Sequence, residues 1–221
     1  MSNIRTGSMG TYIGSFSDES EALSTEEMQI NATYIYKYFS SLGWTVNAIS
    51  GMLGNMQAES TLNPGRWQGD NIGVGPAYGL TQWDPFSKYT MWCAEYDLGD
   101  PSEMDNNLKR IIYELENNIQ YYATDDYNLS FSEFSTSTLS AEYLSWAFAW
   151  NYERSYTVLY GTPEEKEALK QTRGAFASAW YNFLTSGDIP TPGPNPNTPS
   201  KLNKKGYNFL LFTARRRRNQ I

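Results

Sequence analysis

The sequence predicts a mainly α-helical domain that carries one Gly/aromatic loop or small β-hairpin, followed by a Pro-rich linker and a short basic tail. Three observations lead there. Apolar residues recur at helical spacing from Met28 almost to Leu184, capping boxes stand where helices should begin, and prolines alternate with other residues from Pro190 to Pro199. A chain of 221 residues can bury one sizeable core, and a second full domain is not expected. The expected boundaries are an N-terminal extension over 1–23, the domain over 24–186, the linker over 187–200 and a basic-aromatic tail over 201–221.

The polar opening from Met1 to Ser17 lacks the basic start and apolar run of a secretory signal, and no stretch approaches the ~20 apolar residues of a membrane span. The first helix follows a Ser24-to-Glu27 capping box and turns Met28, Ala32, Ile35, Phe39 and Leu42 inward until Gly43 stops it. A second begins after Thr45, buries Val46, Ile49, Leu53 and Met56, and uses Gly51 and Gly54 for close contact with a neighbour. It runs directly into Glu59.

The stretch from Asn63 to Trp83 interleaves five glycines with Trp67, Tyr78 and Trp83, the pattern of a shaped loop or small hairpin. Later helices are expected along Leu108, Ile111, Leu115, Ile119 and Tyr122, from Tyr143 to Asn151, and from Pro163 to Leu184 behind a Thr162-to-Glu165 box.

Composition removes whole reaction classes. With no histidine and a single cysteine, Cys93, the sequence holds no Ser-His-Asp triad, Cys-His pair, His-based zinc site or internal disulfide. Acid-base work then falls to carboxylates, and glycoside hydrolysis runs on carboxylates alone. Residues 1–188 hold 10 Lys/Arg against 24 Asp/Glu, whereas the remainder holds 7 basic residues and no acidic one. The main domain should therefore repel nucleic acid. An aromatic share of 15% exceeds what a minimal core needs and suggests a binding surface, the alternative being a Tyr-rich core.

Glu59 is the candidate proton donor. Apolar surroundings at the end of its helix would raise its pKa, whereas a helix-end glutamate in water would be an ordinary acid.

The run Ala58-Glu59-Ser60-Thr61-Leu62-Asn63-Pro64, the segment Tyr78-Gly79-Leu80-Thr81-Gln82-Trp83 and the later Ala149-Trp150-Asn151-Tyr152 resemble, in order, the motifs of soluble lytic transglycosylases and goose-type lysozymes. With Gly43-Trp44-Thr45, Gly54-Asn55-Met56-Gln57 and Tyr152-Glu153-Arg154 added, the chain from Thr25 to Leu184 resembles phage tail lysozymes more closely still, the glycosidase domain of tail-knob murein hydrolases in particular. The resemblance implies a lysozyme-like fold that cleaves the β-1,4 bond between N-acetylmuramic acid and N-acetylglucosamine in peptidoglycan. Glu59 takes the acid role and Ser60 orients it through a hydroxyl hydrogen bond. Tyr78, Gln82, Asn151 and Tyr152 bind the sugars. Trp67 and Trp83 offer rings for stacking, or pin the loop to the core.

For a second carboxylate Asp84, Glu153 and Asp70 are the candidates, a salt bridge to Arg154 or another arginine being the alternative for Glu153. Thr81 replaces the family's methionine, and hydrolysis and anhydro-forming cleavage both stay open, as does a non-catalytic glycan-binding tail component. The resemblance further implies peptidoglycan strands and other phage tail proteins as partners, and a place in the virion tail or at the host wall after release.

No cofactor or metal is expected. Gly73 to Gly79 does not have the spacing of a phosphate loop, and the clusters Asp97 to Asp105 and Asp125-Asp126 lack that of a calcium loop, so a solvated surface is expected there. The tail from Lys201, with Arg215 to Arg218, suits nucleic acid, anionic wall polymers or a membrane face, or is simply a solubilising end.

Overall fold

The computed structural model describes residues 3–186; the expected linker and basic tail lie outside them. The chain is mainly helical. Its order is an antiparallel hairpin, β1 (Asn3–Gly7) and β2 (Gly10–Gly14), and then α1 (Thr25–Ser41), α2 (Val46–Ser60), α3 (Ser87–Glu95), α4 (Met104–Glu116), α5 (Phe131–Thr136), α6 (Ala141–Phe148), α7 (Tyr156–Tyr160) and α8 (Pro163–Thr185).

The hairpin stands in the stretch that reads as a polar extension. Its register runs from Asn3 opposite Gly14 to Gly7 opposite Gly10, and long-range contacts hold it down. Asn31 of α1 accepts from Ile13 N at 2.7 Å and donates to Ile13 O at 2.7 Å and Leu62 O at 2.8 Å. Arg5 reaches Glu103 at 2.6 Å and Asp100 at 3.2 Å, while Asp105 accepts from the Tyr34 hydroxyl at 2.5 Å. Part of the acidic cluster expected to be solvated is thus the anchor of this hairpin.

The capping boxes at Ser24 and Thr162 form as the sequence predicts, and Thr45 caps α2 by accepting from Ala48 N at 3.2 Å. Helix α2 is buried on every side from Ala48 to Met56 and becomes the central helix, packed against α6 and α8. Gly51 and Gly54 make that possible. A Cβ at Gly51 would stand 2.9 Å from the backbone of Leu144 in α6, and one at Gly54 2.7 Å from Arg173 O in α8. Ile49, Met52, Leu53 and Met56 are fully buried there, each contributing about 1.5–3 kcal/mol of hydrophobic stabilisation.

Helix α4 stops short of its expected end at Tyr122. Asn118 adopts a left-handed φ of 52° just past the helix, and Ile119 and Tyr122 are consequently exposed. From Asn63 to Trp83 the chain forms a loop of turns, and single bridges pair Trp67 with Tyr78 and Tyr78 with Trp83. Among the described residues no helix is long and apolar enough to cross a membrane.

Candidate active site

A cavity of about 520 Å³ opens between the C-terminal end of α2, the Gly/aromatic loop and the turn joining α6 to α7. Glu59, Gln82, Trp83, Asp84, Tyr152 and Glu153 all line it, which brings six of the sequence candidates together.

Glu59 reaches the cavity because α2 carries it to the last turn before Thr61 reverses the chain at φ 52°. Its side chain is 20% exposed and forms an ion pair with Arg173 of α8, whose Nη2 donates to Glu59 Oε1. The same guanidinium donates through Nη1 to Asn55 Oδ1 at 2.8 Å, and Asn55 is itself fixed by donation to Ser145 O at 2.9 Å. The apolar surroundings expected of Glu59 are therefore replaced by a buried guanidinium, which the spacing of α2 alone could not reveal.

Glu153 lies in a widened helical turn, Ala149–Glu153, that continues α6. Such turns with one extra residue are common at functional sites. The salt bridge weighed for it does not form: the Arg154 guanidinium sits 5.3 Å over the Tyr122 ring instead. Among the described residues no ion pair involves Glu153, and its Oε1 is sealed from solvent without a hydrogen-bond partner. Burial, reinforced by the charge of Glu59 and opposed by Arg173, pushes its pKa well above the carboxylate range.

Glu114 is a third carboxylate that periodicity concealed. It is buried on α4, pairs with Arg110 one turn earlier at 2.8 Å, and accepts from Trp83 Nε1 at 3.1 Å and from the Tyr152 hydroxyl at 2.5 Å. Its work is to fix two cavity walls at once, and with Arg110 its charge is met locally. Its visible sequence signal is the Arg110-to-Glu114 spacing of four among the apolar repeat of Leu108, Ile111 and Leu115.

Ser60 does not touch Glu59. Its buried hydroxyl faces Met56 O at 3.1 Å and Leu80 O at 2.9 Å, so it ties the end of α2 to the Gly/aromatic loop. Trp67 is buried against Tyr78 and Phe86 and donates to Ser17 O at 3.0 Å, which is the loop-pinning alternative. Trp83 lines the cavity but lies flat on Tyr89 with ring centroids 4.4 Å apart.

Tyr78 and Asn151 are fully buried away from the cavity wall. Asn151 holds the turn below it, donating to Tyr127 O at 2.8 Å and accepting from the Thr124 hydroxyl at 2.8 Å. Gln82 turns its amide donors inward, to Gly79 O at 2.9 Å and Arg66 O at 3.0 Å. Asp84 is at the exposed rim, whereas Asp70 is off the cavity and paired with Arg66 at 2.8 Å. Among the described residues no group of three or more His, Cys, Asp or Glu side chains could hold a metal ion.

A helical domain with an α2-borne glutamate, a Gly/aromatic loop and a second carboxyl facing one cleft has the organisation of a lysozyme-like protein. Residues 30–184 match the phage tail lysozyme family, and the chain belongs to it. It is also 42% identical over 171 residues to morphogenesis protein 1 of Bacillus phage B103; the match covers 77% of this chain and 43% of that protein. The chain thus spans less than half the length of the curated relative it matches.

Proposed function

We propose that this chain is a peptidoglycan glycosidase that cleaves the β-1,4 bond between N-acetylmuramic acid and N-acetylglucosamine, with Glu59 as proton donor and Glu153 as the second carboxyl. One observation carries the reading: Glu59, ion-paired to the buried Arg173, and Glu153, which has no ion pair among the described residues, line one cavity. Arg173 compensates one negative charge, and Glu114 has its own cation in Arg110. Burial and the lack of a cation of its own favour a proton on Glu153, which gives the cleft one protonated carboxyl beside an ion-paired one, as glycoside cleavage requires. One member must be protonated to release the leaving oxygen, and the other must be anionic to stabilise the oxocarbenium-like transition state or activate water.

In the free protein Glu153 retains the proton. When the glycan binds, Glu153 yields that proton to Glu59, Glu59 passes it to the bridging oxygen, and the Glu153 carboxylate so formed stabilises the oxocarbenium-like sugar or activates water. A second carboxyl in the cleft favours hydrolysis over anhydro-ring closure, which uses the sugar's own oxygen. Mass spectrometry of digested peptidoglycan tests this: reducing ends support hydrolysis, anhydro ends the transglycosylase reading, and wall binding without product a non-catalytic tail component. The phage tail lysozyme family and the phage relative support a setting in a phage particle, and the wall it acts on in this reading is that of the host.

A further inference from the structure

The sequence candidates for sugar stacking, Trp67 and Trp83, are both buried and already packed on other rings. The exposed aromatic surface lies elsewhere. Helix α7 follows directly on Glu153 and Arg154 and is held to the domain by buried Val158. Tyr156 and Tyr160, four residues apart on the same helical face, are 77% and 71% exposed. Their ring centroids stand 5.3 Å apart at an interplanar angle of 51°. Tyr156 and the half-exposed Leu159 belong to the wall of the cavity that holds Glu59 and Glu153, so this surface continues the cleft outward.

We propose that Tyr156 and Tyr160 form a stacking platform for a pyranose ring of the glycan strand, outside the sugars that flank the cleaved bond. The inference rests on the cleft being a glycan site. Tyrosine suits this task because its flat apolar face covers the C–H face of a sugar while its hydroxyl stays in water. The pair also needs little ordering, since each ring is restrained by the other and by a capped helix whose Ser155 accepts from Val158 N.

Calorimetric binding of soluble N-acetylglucosamine oligomers, together with wall digestion, tests the platform in the full chain. The double variant Tyr156→Ala/Tyr160→Ala should bind the oligomers roughly five- to tenfold more weakly, at one ring's worth of stacking, with an unchanged unfolding temperature. Tyr156→Phe/Tyr160→Phe keeps the rings and should bind within about twofold of the parent. Unchanged affinity in the alanine variant, or a phenylalanine variant as weak as it, overturns the platform while the active parent still stands for the glycan reading. A parent chain that neither binds oligomers nor digests walls overturns that reading and the platform with it.

Discussion

The Arg173 guanidinium on α8 binds the Glu59 carboxylate at the end of α2, and on its other edge holds Asn55 one turn earlier on the same helix. A single side chain thereby joins α8 to the end of α2 that carries Glu59 to the cavity wall.

Replacing Arg173 by Met leaves Glu59 without its cation and should cost roughly 1–3 kcal/mol, less than for a sealed pair because Glu59 keeps some contact with water. Adding Glu59→Gln should return part of that loss. Thermal unfolding of the four proteins of this cycle reads the coupling, and strictly additive losses would show that the two groups are not energetically tied.

The raised pKa of Glu153 has a definite sign. Below about pH 4.5 folded and unfolded chains both hold its proton; above that the unfolded chain releases it first, so the native state binds more protons and stability falls as pH rises. Glu153→Gln should therefore gain in unfolding temperature relative to the parent between pH 4 and pH 8. It should also lose activity, and a pH-independent difference in stability would remove Glu153 as a titrating member of the pair.

Gly54 and Gly51 separate packing from chemistry. A methyl group at either meets backbone at 2.7–2.9 Å, and either alanine should cost about 1–3 kcal/mol in denaturant unfolding. Only Gly54→Ala pushes on Arg173 itself. It should reduce activity beyond what Gly51→Ala does at equal stability, and equal activities would argue against a positioning role for α8.

Ser60→Ala should lower stability by about 1–3 kcal/mol by leaving Leu80 O without its buried donor. The pH profile of activity should keep its shape, since the hydroxyl does not reach Glu59. A shifted profile would restore the orienting role that the family resemblance implies.

Helices α1, α2 and α8 were legible in the sequence because their signals are local: a capping box or threonine cap, an apolar repeat, and glycines at the α2 contacts. Glu59, Gln82, Trp83, Tyr152 and Glu153 could likewise be placed in one site from ordered short motifs. What stayed hidden depends on distance along the chain. Arg173 lies 114 residues from Glu59, and neither position carries a mark of the other. The hairpin at the start is too short for its alternation to stand out, and it owes its place to Asn31 and the acidic residues near Asp100. For the tryptophans the sequence left two roles open, because an indole that pins a loop and one that receives a sugar look the same in sequence.

Digestion of purified peptidoglycan by the parent and by Glu59→Gln, read by mass spectrometry beside their unfolding temperatures, addresses the role of the acid itself. The parent should release fragments with reducing ends, and the variant should stay folded at the assay temperature, losing only the stability of the Arg173 pair, yet work at least about 10²-fold more slowly. A Glu59→Gln chain that solubilises the wall at the parent's rate would contradict the assignment of Glu59 as the proton donor.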